Sequence, residues 1–329
     1  MKKLIGILST LILAASCTKE DSFGFNPNQL QNLDSSWVTT IPDQSKICEL
    51  VKSLPAVQPI TDSVEILAAD TTVISKDLYD ILIPPKALKT SSGAVVTGKV
   101  AFNFYFTEKL GDYIRLQQST INSSQYLLST NASFYLRFFL GADELAIIAG
   151  KNIIVRYNDP QPKQNMKLFY GPGDIGYTTP VNNTILWYAS TSNCYVTPVA
   201  RKLNATYYYA YEVSTDRLKW INIASGLPQG LTLLNLSVYL PDLFSNANTQ
   251  AFIIFKDTKT LVKLNGEAST RKFTAPNIPA GVKATVVTIS KSAEEYYLGT
   301  QEIITTDKPL QVKPIKSSLD QIINFINSL

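Results

Sequence analysis

The chain contains no histidine. That absence removes Ser-His-Asp and Cys-His catalysis, the histidine-bearing zinc sets, histidine-ligated haem and the side chain that switches charge near neutral pH. Charge is sparse: 17% of residues are Asp, Glu, Lys or Arg, against 45% hydrophobic. Such a composition supplies a packed interior and is not that of a disordered chain. The formal net charge is +4, and Lys2 and Lys3 supply two of those charges. No Lys/Arg cluster follows, so no nucleic-acid partner is expected. No Asp-x-Asp occurs, which leaves Asp174 and Asp242 as isolated loop acids rather than a calcium-binding pattern. Neither a metal nor a cofactor is expected. Only three cysteines occur.

What is present begins with the leader. Lys2-Lys3 precede an apolar run from Leu4 to Ala15, then Ser16-Cys17. The run is shorter than the roughly 20 residues of a membrane-spanning helix and suits a cleaved secretory signal. The Ala14-Ala15-Ser16-Cys17 junction resembles the lipobox of bacterial lipoproteins, which implies lipidation at Cys17. Thr18-Lys19-Glu20-Asp21 resembles the surface-export signal of Bacteroidota lipoproteins. The expected address is the outer membrane, lipid-anchored, facing the cell exterior. In an oxidising envelope Cys48 and Cys194 are candidates for a disulfide, or stand as small buried hydrophobes.

Ser22 to Asp43 is polar and turn-rich, as in a tether. Asp43 to Leu54 predicts a short helix capped by Asp43, with Ile47, Leu50, Val51 and Leu54 on one face. From about Ile60 the period becomes two. The clearest strand is Val100 to Thr107, with Val100, Phe102, Phe104 and Phe106 on one side. Phe134, Leu136, Phe138 and Leu140 repeat the pattern. Gly171 to Thr184 is rich in Gly, Pro, Asn and Thr and reads as a break between domains. Beyond it Tyr207, Tyr209, Tyr211 and Val213 share a strand face, and Leu234, Leu236, Val238 and Leu240 alternate. Ala251 to Phe255 is unbroken and apolar, as in a strand buried on both faces. Ser317–Leu329 predicts an amphipathic helix capped by Ser318. The expected fold is all-β: a signal peptide (1–16), a lipid-anchored tether with a short helix (17–55), a β-sandwich (56–171), a connecting segment (172–200), a second β-sandwich (201–306), and a linker with a C-terminal helix (307–329).

Ile83-Pro84-Pro85-Lys86-Ala87-Leu88 resembles the Ile-Pro-x-x-Ala-Leu element of the ZU-five domain, a β-sandwich of ankyrins and netrin receptors. Gly98-Lys99-Val100, Gly111-Asp112-Tyr113-Ile114 and Met166-Lys167-Leu168-Phe169-Tyr170-Gly171 are similar, in order, to motifs of uncharacterised Bacteroidota outer-surface lipoproteins. Trp220-Ile221-Asn222 and Tyr296-Tyr297-Leu298-Gly299 fit the second half of that group. The resemblance spans roughly residues 60 to 305. It departs at Ile223, where the group would carry a cysteine. It implies architecture and address, and no activity.

Gly171-Pro172-Gly173-Asp174-Ile175-Gly176 matches G-x-G-x-x-G, but Tyr177-Thr178-Thr179-Pro180 cannot start the helix whose N-terminus would face a pyrophosphate. The segment is therefore expected to be a loop. No Gly-x-Ser-x-Gly elbow occurs. Asp143-Glu144 and Glu294-Glu295 are adjacent acids in strand-turn contexts, which suits solvated turns better than a glycosidase pair. The 17 Tyr and 3 Trp are the feature suited to binding. Trp187, Tyr188 and Tyr208 are the candidate ligand-binding aromatics, the alternative being that these rings fill sandwich cores. The expectation is a non-enzymatic surface lipoprotein that binds an extracellular protein or glycan or has a structural role. A carbohydrate-binding lipoprotein is the alternative. A hydrolase with a carboxylate pair comes third.

Overall fold

Antiparallel strands of period two dominate the chain in a computed structural model that describes residues 35–173, 180–190, 193–228 and 230–329. The clearest alternation in the sequence builds the first sandwich. Gly98–Thr107 lies between Ile60–Ile66 and Leu128–Leu140, and Lys219–Gly226, Lys167–Tyr170 and Tyr188–Ala189 continue the same sheet. The facing sheet runs, in spatial order, Tyr195–Leu203, Thr206–Thr215, Ile153–Asn158, Tyr79–Ile83 and Thr72–Ser75. Val100, Phe102, Phe104, Phe134, Leu136 and Phe138 from one sheet meet Ile81, Ile83, Val155, Tyr157, Tyr211 and Val213 from the other. Tyr79 packs on Phe104 with ring centroids 4.4 Å apart. Such pairs add about 0.5–1.5 kcal/mol beyond the area they bury.

This pairing corrects the expected domain map. The break after Gly171 falls within the first sandwich, because Tyr195–Leu203 and Thr206–Thr215 extend one sheet and Lys219–Gly226 pairs with both Lys167–Tyr170 and Leu128–Leu140 in the other. The first sandwich therefore runs to Gly226. The second begins at Leu233, past the Gly- and Pro-containing segment 226–230.

In the second sandwich one sheet holds Asn265–Glu267, Lys272–Pro279, Leu233–Tyr239 and Leu310–Gln311. The other holds Thr260–Lys263, Thr249–Phe255, Lys283–Ser292, Glu295–Ile304 and Ile315–Ser317. Ala251, Ile253 and Phe255 face Leu236, Val238 and Phe273 across the core. Phe252 and Ile254 point the other way, under three helices. These are α1 (Lys46–Ser53), α2 (Leu110–Arg115) and α3 (Leu319–Asn327). The strand is thus buried on both faces, as its unbroken apolar run predicts.

The helices begin where side chains cap them. Ser45, not Asp43, caps α1: its Oγ accepts from the Cys48 amide at 3.4 Å. Ser318 caps α3 as expected, in a reciprocal box with Gln321. Helix α2 was not visible in the hydrophobic pattern. It packs against α3 at Gly111, where a Cβ would collide with the Ile326 carbonyl.

The two sandwiches share a wall. The segment after α2 crosses to the edge strand Thr260–Lys263. Thr120 N donates to Leu261 O at 2.8 Å, Leu261 N to Thr120 Oγ1 at 2.9 Å, and Lys263 N to Ser119 Oγ at 2.9 Å. A strand edge that would otherwise present bare amides is covered. Part of the expected tether is also bound to this body. Trp37 packs on Phe273 with tilted rings 5.1 Å apart, Val38 N donates to Asn246 Oδ1 at 2.9 Å, and the Ile41 backbone makes two bonds of 2.8 Å with the Asn182 side-chain amide.

Candidate functional site

The tyrosine-rich strand leaves the core part-way along its length. From Ala210 to Thr215 it pairs with Ile153–Asn158, and there Tyr211 and Val213 are fully buried. Before Ala210 its ladder continues with Tyr195–Leu203 alone, apart from the Tyr209 carbonyl, which accepts from Asp159 N at 3.0 Å, and the two strands project past the sheet as a ribbon. Tyr207, Tyr208 and Tyr209 are 67%, 41% and 72% exposed. Tyr207 and Tyr209 share one face, and Tyr208 stands on the other. The Lys202 ammonium lies 5.7 Å from the Tyr207 ring centroid, within cation–π range. The ribbon closes at Asn204 and Ala205, with φ of 46° and 66°. Two consecutive positive φ values are what a two-residue hairpin turn of matching twist requires.

A buried cation fixes the base of this ribbon. Arg201 is 1% exposed. Its guanidinium grips Asp80 through two bonds, Nε to Oδ2 at 2.7 Å and Nη2 to Oδ1 at 2.8 Å. It also donates to Asp77 O at 2.8 Å, Asn158 Oδ1 at 3.0 Å, Tyr79 O at 3.1 Å and Lys76 O. Ser75 Oγ adds a bond of 2.6 Å to Asp80. Burial alone would raise the Asp80 pKa; the hydrogen bonds from Arg201 and Ser75 outweigh it and hold the carboxyl below its ordinary value. The planar fork is saturated, so the ribbon root is rigid. Sequence reasoning missed Arg201; the available signal was Asp80, an acid inside the apolar run Tyr79–Ile83.

The other sequence candidates part company. Tyr208 belongs to the ribbon. Tyr188 is half-exposed but sits at the edge of the other sheet. Trp187 is a correction: it is fully buried, its Nε1 donates to Ser119 O at 2.8 Å, and it meets Trp220 edge-on at 6.3 Å. A ring with its one donor satisfied inside the protein is core, not a ligand platform. The Cys48–Cys194 disulfide is a second correction. Cys48 is buried on α1 under the second sandwich, whereas Cys194 packs on the first core beside the Tyr170 hydroxyl at 3.3 Å. They form no disulfide. Cys17 lies outside the described residues.

The remaining motifs have structural partners. At Gly171 a Cβ would stand 2.6 Å from Trp220 Cβ, so this glycine admits a close indole, and residues 174–176 lie outside the described residues. Glu144 is held by Arg137 at 2.6 and 2.9 Å, which keeps its pKa below the ordinary value. Glu295 pairs with Lys316 and is likewise lowered. A general acid in a carboxylate pair needs the opposite shift. Asp242 lines an open groove of about 580 Å³ with Arg271, and among the described residues no group of three or more His, Cys, Asp or Glu is placed to hold a metal. Among the described residues no helix is long and apolar enough to cross a membrane.

Comparison with protein-family models, with curated proteins and with solved structures returned no match.

Proposed function

We propose that the chain is a lipoprotein anchored through Cys17 at the outer membrane, and that its exposed tyrosine ribbon engages an extracellular protein without turnover. The projecting ribbon carries this reading. Three solvent-facing tyrosines on a root saturated by Arg201 offer large, rigid, amphipathic contact area at low entropic cost. The first sandwich is then of the ZU-five type, and its strand edges frame the contact surface.

A glycan is the second reading, favoured by Tyr207 and Tyr209 on one strand face. Rings two residues apart stand about 7 Å from each other, a spacing at which successive sugar units can stack.

Arrays of outer-membrane proteins and of glycans separate the two. Tyr207→Ser with Tyr209→Ser should abolish the signal while leaving the melting curve unchanged. Binding that survives the double variant sinks the ribbon. Incorporation of labelled palmitate, lost in Cys17→Ala, tests the anchor. Protease added to intact cells tests the exterior address, and full protection would contradict it.

A further inference from the structure

Lys263 ends an edge strand on the helix-covered face of its sheet. Its register partner is Phe252, and Gln250 lies two residues further along that strand on the same face. Diagonal neighbours of this kind stand about 7–8 Å apart, within reach of long side chains. Here the apolar row of Ile254, Leu261, Val287 and Ile289 gives way to polar groups. Lys263 is buried, at 8% exposure. Its Nζ donates to Val181 O and, at 3.3 Å, to Asn183 O. No carboxylate among the described residues comes within ion-pair distance of it. Lys291, just as buried, meets Glu49 at 2.8 Å and Glu294 at 3.5 Å.

An ammonium buried without an anion is expensive, by several kcal/mol per ion. Burial pushes the Lys263 pKa down to about 8, against the opposing pull of the Cys48 sulfur on α1. Beside it Gln250 is 3% exposed. Its Nε2 donates to Gln117 Oε1, and its Oε1 has no partner among the described residues. Both side chains line one cavity of about 120 Å³, whose rim carries the exposed Thr39, Asn182 and Asn265. A second cavity of about 180 Å³ shares Lys263 and Asn265. A water's share of liquid volume is about 30 Å³, so the first cavity holds about four waters or a ligand of about five heavy atoms.

We infer that this cavity binds a small carboxylate that also carries a hydroxyl. Its carboxylate takes the third N–H of Lys263 and its hydroxyl donates to Gln250 Oε1. An anion without an O–H donor leaves Gln250 Oε1 unpaired, and a neutral polyol brings no charge to offset the ammonium. The site is separate from the tyrosine ribbon and does not depend on the role given to that surface.

Glycolate is the probe, titrated calorimetrically into the full chain in detergent. Saturable binding is expected, with acetate, which lacks the hydroxyl, about tenfold weaker, or about 1.4 kcal/mol. Gln250→Leu should reduce glycolate to the affinity of acetate and leave acetate unchanged. Lys263→Met should remove both. No saturable heat with glycolate, or equal binding to wild type and Lys263→Met, overturns the inference. If Lys263→Met does not fold, Gln250→Leu decides: glycolate must lose its advantage over acetate, and any other pattern overturns the site.

Discussion

Arg201 and Lys263 both lie on edge strands, and both are buried, at 1% and 8% exposure. Arg201 has a carboxylate, four further acceptors and no spare donor. Lys263 has two carbonyls, and among the described residues no carboxylate pairs with it and the neighbouring amide oxygen has no partner. A saturated buried cation fixes architecture: it roots the ribbon that faces outward. An unsaturated one marks a place where the protein is incomplete without a ligand. The same chemistry teaches opposite lessons, and counting partners tells them apart.

The largest expected effect comes from breaking the saturated pair. Asp80→Ala strands a buried guanidinium and should cost about 3–5 kcal/mol in urea unfolding. A loss below about 1 kcal/mol would show that the pair is not what holds the ribbon root.

The two cations should also mark opposite limbs of the stability–pH curve. Asp80 has its pKa held below the ordinary 3.8 in the folded state. Its contribution is present above that value and is lost as pH falls through the folded pKa. Lys263 has its pKa lowered to about 8 from 10.5. Between those values the unfolded chain keeps a proton that the folded chain has released, so stability should rise from about pH 8 to about pH 10. Above that, ionisation of unfolded tyrosines reverses the trend, since burial holds residues such as Tyr79 up to about 12. Chemical denaturation across this range should show the alkaline rise, and Lys263→Met should flatten it. A wild-type curve that only falls above pH 8 would contradict the Lys263 assignment.

In ligand-free protein, Lys263→Met should stay within about 1 kcal/mol of wild type. Removing an uncompensated charge offsets leaving two carbonyls without a donor. The asymmetry with Asp80→Ala is the comparison in its sharpest form. The smallest effect concerns the ribbon tip. Ala205→Gly relieves a left-handed alanine worth about 1–2 kcal/mol. The added freedom of the unfolded chain takes back part of it, about 0.4–1 kcal/mol. A melting-temperature gain of a degree or two is the readout, and a loss would mean the turn is not strained at Ala205.

The local pattern was legible where a single period decides. Phe102, Phe104 and Phe106 announce a one-sided strand, Ala251 to Phe255 a two-sided one, and Ser318 with Gln321 a helix start. Long-range pairing was not legible. Lys167–Tyr170 meets Lys219–Gly226 across some fifty residues that hold three further strands, so the Gly- and Pro-rich start of that stretch passes for a boundary while the break near Pro228 is shorter and plainer. Trp187 stands in the sequence as a candidate ligand ring with the core as its alternative, because its partner is a backbone carbonyl, which has no sequence signature. Tyr207 and Tyr209 share a face with the buried Tyr211 and Val213, and alternation gives the face but not where the core ends. Lys263 and Arg201 were invisible as lone cations whose partners stand far away in sequence.

Tyrosine footprinting on living cells tests the ribbon most directly. In the purified chain Tyr126, Tyr188, Tyr207 and Tyr209 are all exposed and should all be modified. On intact cells the account predicts protection of Tyr207 and Tyr209, with Tyr126 and Tyr188 still reactive. Equal reactivity of all four on and off the cell would contradict it.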